Sequence, residues 1–491
     1  MFESSSSFAL FDYFRVPYAV RPARDAAGDA GPAVHWLRAV EQPGRARRSL
    51  LWLGAGAHRG GRPAAARLGR YQLAGCTFFA HVAPDIPRQA REAGVGWQAA
   101  EQITDAGGRP VAAIWRDHDG SIFLPFDPGE AMLQFWSEGY LKVGRSSLAA
   151  AGPTLRRCYY VARPALPRAV QVKLRRAFTR VQARSSFPGW PVEDSLHNLY
   201  RWLFASVAEI AGGPVPFLEL WPEGRSWALV LTHDVETEAG YRTMGLLRDT
   251  ERELGYRSSW NFVAERYRVQ DATVRALQDE GCEVGVHGLR HDGRDLASRR
   301  LMEKRLPAMR ANADRWNAVG FRSPSTQRDW RLMPRLGFDY DSSYTDTDPY
   351  EPQSGGCCTY LPYVNDGLIE LPITLPQDHT LFCILPDSGA DVWIRKARSL
   401  RERGGMALVL THPDYAQDRR VADGYRELLE TFHGDDTAWH ALPREVARWW
   451  RRRGASALCW DGGGWRVEGP ASAAGRVGLA DAAGRREGSL R

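Results

Sequence analysis

The chain has 491 residues with ordinary apolar (44%) and charged (25%) fractions, so it can bury sizeable cores, and two or three domains are expected. Its net charge of +7 is carried almost wholly by arginine, because Lys142, Lys173, Lys304 and Lys396 are the only lysines. The arginines are spread along the whole chain without a zinc-finger or RNA-binding signature, a pattern that fits GC-rich coding better than a nucleic-acid surface. Weak attraction to an anionic glycan or membrane surface stays open.

The seven cysteines have no framework spacing: Cys357 and Cys358 are adjacent, while Cys76, Cys158, Cys282, Cys383 and Cys459 are scattered. That is the usage of a reducing compartment. The first residues, MFESSSSFALFDYFRVPY, lack a basic n-region and a long apolar h-region. No run approaches the roughly 18 apolar residues of a membrane span. The expectation is a cytoplasmic protein with no integral membrane segment and no nucleic-acid partner.

Residues 1–215 are expected to form a separate α/β or α+β domain of unknown role. Within it, 50–61 (LLWLGAGAHRGG) reads as a strand entering a glycine-rich turn. Its spacing departs from G-x-G-x-x-G and no acidic residue follows on a second strand, so a plain turn is favoured over a nucleotide site. The aromatic spacing of 131–140 suits a packed helix, prolines punctuate 164–167 and 187–191, and 195–211 reads as a helix. The Gly/Pro-bearing segment 212–222 is the preferred domain boundary.

From Trp227 the pattern changes to strands alternating with helices. Candidate strands are 227–231, 258–263, 283–286, 320–322, 368–373 and 406–410. Helical stretches at 240–254, 273–280, 297–316, 392–403 and 423–432 lie between or after them. This alternation predicts a parallel sheet with helices outside it, and six or seven such units suit an incomplete barrel over 222–453. Residues 454–491 are expected to hold a small hairpin (458–469) and a disordered Ala/Gly/Arg-rich tail.

Four of these strands run into chemistry-bearing residues. The buried run WALVL ends in THDVE, which carries His233, Asp234 and Glu236. The next, VGVHGLRHD, carries His287 and His291, which can share a cation if the turn after the strand is helical, or can be two unrelated surface histidines. In GFRSPS, Arg322 either pairs with a surface carboxylate or orients and ionises a catalytic aspartate. In ALVLTHPDY, His412 is a lone histidine delivered to the same rim. Carboxyl ends of parallel strands are where such folds place their sites.

Taken in order, THDVE, HGLRH, RSP and LTHP resemble the motifs of the polysaccharide deacetylase family (carbohydrate esterase family 4, the NodB-homology domain), over about 227–450. The resemblance implies a distorted (β/α) barrel and a metal-dependent hydrolase that removes acetyl groups from N- or O-acetylated sugars. It implies Asp234 as catalytic base, Arg322 as its orienting arginine and His412 as general acid. His287 and His291 take the places of the two histidine metal ligands. The common motif has adjacent aspartates, but Val235 holds the second place here. On the D-x-D pattern of one branch, Glu236 becomes the third ligand. Leu410 and Pro324 are implied to line the substrate pocket. The segment 370–382 resembles that of exopolysaccharide-cluster members, with Asp378 approaching the substrate. The tryptophan-bearing fourth motif is not evident.

One divalent metal ion is therefore expected, zinc by default for this N/O donor set, with cobalt, nickel or iron also fitting. The expected partner is an acetylated glycan or glycan precursor of exopolysaccharide or cell-surface polysaccharide biosynthesis. Trp260, Trp330, Tyr344 and Tyr350 are candidates for stacking on sugar faces. Two alternatives remain at this level: a hydrolase of a small non-sugar amide on the same barrel, and a non-catalytic glycan-binding protein that retains the fold.

Overall fold

The computed structural model describes residues 2–21, 34–40, 48–54, 66–94, 96–143, 187–351, 353–385, 389–484 and 486–487. The glycine-rich segment 55–61, the prolines of 164–167 and Cys158 lie outside them. Two compact units result. One comprises Met1–Ser146, Asp194–Gly224 and Arg452–Arg491, and the other Ser147–Glu193 and Arg225–Arg451.

The second unit is built around β1 (Trp227–Val235), all nine residues of which are buried. The strand outruns its apolar stretch because the polar residues Thr232, His233 and Asp234 still find ladder partners. In chain order there follow β2 (Ser259–Phe262), β3 (Glu283–Val286), β4 (Gly320–Phe321), β5 (Tyr340–Asp341), β6 (Tyr363–Asn365), β7 (Leu368–Glu370), β8 (Met406–Thr411) and β9 (Ala438–His440). The sheet order is β6-β7-β5-β4-β3-β2-β1-β8, parallel throughout except for the β6–β7 pair. One edge of β1 pairs with β8 through Ala228–His233. The other is shared by β9 at Trp227–Leu229 and β2 at Thr232–Val235. Both edges of β1 are thus hydrogen-bonded for most of its length, as suits a strand covered on both faces.

The expected strand 368–373 stops at Glu370, since Pro372 has no N–H to give a ladder. The chain keeps its course by irregular bonds. Leu371 N and Ile373 N donate to Asp341 O and Tyr344 O, while Thr374 N and Leu375 N both donate to Leu408 O of β8. The sheet therefore curls, with residues 371–375 lying between the β5 side and β8.

Helices accompany it, among them α1 (Glu238–Thr243), α2 (Gly245–Glu253), α3 (Asp271–Asp279), α4 (Arg299–Trp316), α5 (Ala390–Glu402) and α6 (Arg419–Phe432). The expected single helix over 240–254 is two, α1 and α2. Thr243 Oγ1 donates back to Ala239 O at 3.0 Å and to Pro413 O at 3.0 Å, and such back-bonding bends helices.

The other unit holds a nine-stranded, mostly antiparallel sheet among residues 2–124. The Ser49–Leu53 strand pairs in parallel with Ile122–Leu124 near its middle. Asp127 caps the helix Pro128–Trp136 by accepting from Gly129 N at 2.7 Å, and the helix Ser195–Ala211 lies where its pattern placed it. Two expectations are corrected. The supposed connector contains a strand, Val215–Leu218, and the supposed frayed tail supplies its antiparallel partner, Val477–Ala480. Composition hid this partnership because small residues are what the site requires. A Cβ on Gly478 would stand 2.5 Å from the Phe217 ring. The hairpin does form, from Ala457–Trp460 and Trp465–Glu468.

Candidate active site

Side chains alternate along β1, so Thr232 and Asp234 share one face and His233 takes the other. Asp234 is buried, and three strands converge on it. Its Oδ1 accepts from Asn261 Nδ2 of β2 at 2.9 Å and lies 3.4 Å from Arg322 Nη1, at the end of β4. Its Oδ2 is 3.5 Å from His287 Nδ1, just past β3. Arg322 is itself buried and held by Ser342 O at 2.6 Å, Ser342 Oγ at 2.7 Å and Thr232 Oγ1 at 2.8 Å. Burial alone would raise the Asp234 pKa, but His287, Arg322, His412 and the Asn261 bond outweigh it and hold the carboxyl below its usual range. Asp234 is an ionised carboxylate in a fixed pose.

The two histidines of the second motif come together, but not on a helix. Gly288 (φ 64°) and His291 (φ 54°) both adopt left-handed backbone, which turns the chain back and brings the two imidazole centroids to 5.1 Å. A Cβ on Gly288 would lie 2.4 Å from Asp295 Oδ2 and 2.6 Å from Pro324, so glycine is required there for conformation and for space. His291 in this region is the kind of backbone outlier found at functional sites.

Burial lowers the His287 pKa to about 4, so its ring is neutral near pH 7. Its Nδ1 lies 3.1 Å from Arg322 O, and a carbonyl only accepts, so Nδ1 carries the hydrogen. Nε2 is then a bare lone pair, buried and without a hydrogen-bond partner among the described residues. Beside it, Glu236 Oε1 lies 2.9 Å from His291 Nε2. Ligand atoms of Glu236, His287 and His291 all lie within 4.8 Å of one another. Burial would raise the Glu236 pKa, but His291, His412 and His287 overcome it and hold the carboxyl well below its ordinary value. One carboxylate and two imidazoles, one with an orphan lone pair and an oriented outer N–H, fit a divalent cation. The extra methylene of Glu relative to Asp does not keep its carboxylate from the histidines.

His412, immediately after β8, is gripped by Asp378. Nδ1 and the backbone N of His412 donate to the two Asp378 oxygens, each at 2.6 Å. Burial alone would lower the imidazole pKa, but Asp378 chiefly, with Glu236 and Asp234, raises it to about 10. The ring is protonated at neutral pH, with Nε2 3.8 Å from Glu236 Oε1.

Asp378, expected among the substrate-contacting residues, lies against His412. Its side chain is fully buried, and Oδ1 also accepts from His379 N, so it is occupied in orienting His412. Leu410 is buried in register with Thr232, and Pro324 is buried against the Gly288 turn. Trp260 and Tyr344 are buried and so are not sugar-stacking surfaces, whereas Trp330 and Tyr350 are partly exposed. Sequence reasoning missed Asn261, whose signal was an amide set between the aromatic residues Trp260 and Phe262 of β2. Gly285 on β3 makes room for it, since a Cβ there would fall 2.0 Å from Asn261 Oδ1. It also missed Asp414, which accepts from Glu236 N at 3.0 Å and from Thr237 Oγ1.

No family model and no curated protein matches the chain. Among solved structures it is similar to a Mycobacterium smegmatis protein assigned as a polysaccharide deacetylase (22% identity, 48% of this chain and 93% of that one, TM-score 0.39). It is also similar to an allantoinase (16%, 46% and 91%, 0.38) and to a family 4 carbohydrate esterase from Streptomyces lividans solved with acetate (16%, 44% and 92%, 0.30). These likenesses are remote and cover about half of the chain, and the functional reading rests instead on the side chains described above.

Proposed function

We propose that this protein is a metal-dependent hydrolase that removes acetyl groups from an N- or O-acetylated glycan or glycan precursor in exopolysaccharide or cell-surface polysaccharide biosynthesis. The observation that carries the proposal is the joining of a three-ligand group, Glu236, His287 and His291, to an ionised Asp234 and a protonated His412.

Glu236, His287 through Nε2, and His291 would hold the cation, with zinc the first choice and cobalt, nickel or iron compatible. When bound, a divalent cation supplies Lewis acidity toward a carbonyl oxygen and acidifies water. Asp234, kept ionised by Arg322 and Asn261 and outside the ligand group, accepts the proton of the attacking water. His412, charged and aimed by Asp378, delivers its Nε2 proton to the departing sugar nitrogen or oxygen. Leu410 and Pro324 are proposed to face the acetyl methyl. Two proton-handling groups whose environments push their pKa values apart are what acid–base chemistry at neutral pH requires.

The six described cysteines are free thiols, and no helix among the described residues is long and apolar enough to cross a membrane. We place the enzyme in the cytoplasm, a proposal that cell fractionation tests. For function, the experiment is metal content beside acetate release. Wild type should bind about one equivalent of transition metal and release acetate from acetylated oligosaccharides. The double variant His287→Ala, His291→Ala should do neither. A wild type that binds no metal after reconstitution, or that holds metal but deacetylates no glycan, overturns the reading.

A further inference from the structure

Behind the face of β1 that carries Asp234 lies a second buried polar group, which the reaction above does not use. His233 projects from the opposite face, fully buried and stacked on the Trp260 indole with ring centroids 4.1 Å apart. Its Nε2 is 2.6 Å from Glu251 Oε1, and its Nδ1 is 2.8 Å from Thr411 Oγ1. Glu251, on α2, accepts two more bonds, from Ser258 Oγ at 2.6 Å and from Tyr425 OH on α6 at 2.6 Å. All five side chains are almost wholly excluded from solvent.

The position of this group is what gives it significance. Thr411 faces His233 in the β1–β8 ladder, and the residue that follows each is a proton-handling group, Asp234 on β1 and His412 just past β8. The imidazole bridge therefore lies one residue behind both. The same two strands are tied again just past the ladder, where Asp414 accepts from Glu236 N. Apolar side chains of similar shape would hold two strands and two helices together without the desolvation cost of a buried carboxylate and imidazole. What a fully satisfied polar network adds is directional rigidity.

We propose that Glu251, His233 and Thr411 are positioning residues that set the orientation and separation of Asp234 and His412. This rests on the assignment of those two residues as base and acid. Displacement of a reacting group by a fraction of an ångström is costly to rate while leaving ground-state binding intact.

The test compares Thr411→Val, which keeps shape and removes the hydroxyl, with Thr411→Ser, which keeps the hydroxyl. Glu251→Gln is a second near-isosteric variant. Metal-loaded proteins are assayed for acetate release, metal content and urea midpoint, and His412 is followed by imidazole nitrogen NMR. For Thr411→Val and Glu251→Gln, kcat should fall about tenfold to a hundredfold with KM and metal content unchanged, as for groups that orient an active site from outside it. Thr411→Ser should restore kcat. A lowered urea midpoint with kcat retained overturns the proposal, because the network would then be merely structural. Should wild type turn over no acetylated glycan, the deacetylase reading fails separately, and the nitrogen resonances decide. Movement of the His412 signals in Thr411→Val but not in Thr411→Ser sustains the positioning role, and their constancy in both removes it.

Discussion

Replacing Arg322 by methionine removes the guanidinium while keeping most of the side-chain volume. At 3.4 Å from Asp234 Oδ1, a charge pair at an effective dielectric constant of about 20 is worth about 5 kcal/mol. Breaking a buried pair from one side costs about 3–5 kcal/mol by experience, because the remaining charge is left without compensation. The variant should therefore lose about 3–5 kcal/mol of unfolding free energy at pH 8, measured by urea denaturation of the metal-free protein. The pH dependence carries the sharper test. In the wild type the Asp234 pKa is lowered by folding, so its contribution is present above the unfolded value and is lost as pH falls through the folded one. Without Arg322, one of the charges that oppose burial is gone and the folded pKa rises, so the ionised carboxylate is less well compensated and protonation relieves it. The deficit of the variant relative to wild type should shrink as pH is lowered from 8 toward about 4. Adding Asp234→Asn should recover much of the deficit at pH 8. A deficit that is the same at both pH values, together with additive effects of the two substitutions, would refute the claim that Arg322 acts on Asp234.

Asp378→Asn should move the alkaline limb of the rate profile to lower pH. Burial lowers the His412 pKa and Asp378 is the chief group that raises it to about 10, so the imidazolium of the variant is lost earlier. An unmoved limb would mean that His412 is not the group titrating there. Gly288→Ala meets both a positive φ and contacts of 2.4–2.6 Å, so it should cost about 2–4 kcal/mol in urea denaturation and weaken metal retention by displacing the His287–His291 turn. Retention of wild-type stability and metal content would contradict the packing described. Glu236→Asp keeps the charge but withdraws the carboxylate by one methylene from His291. Metal affinity in a competition assay with a chelator should drop about tenfold to a hundredfold, and an unchanged affinity would remove Glu236 from the ligand group.

Much of the second unit was legible along the chain because its signals are local. Short apolar runs that lead into a histidine, a carboxylate or an arginine mark the strands and the rim on which they open. Asp234, Glu236, His287, His291, Arg322 and His412 could all be singled out in this way. The first unit was less legible, since its sheet is mostly antiparallel with partly exposed strands and its residues form no such set.

What only the tertiary structure decided are relations between residues far apart in sequence. No local window shows that Asp378 spends both oxygens on His412, 34 residues away, or that Asn261 bonds Asp234. The convergence of His287 and His291 depends on left-handed backbone at Gly288 and His291, which is stable only because the surrounding chain enforces it. The pairing of Val477–Ala480 with Val215–Leu218 was invisible because a strand of small residues announces itself by its partner, not by its own pattern. Composition and periodicity determined which side chains stand at strand ends. Packing determined which of them meet, because hydrogen bonds and burial select among neighbours that only the folded chain creates.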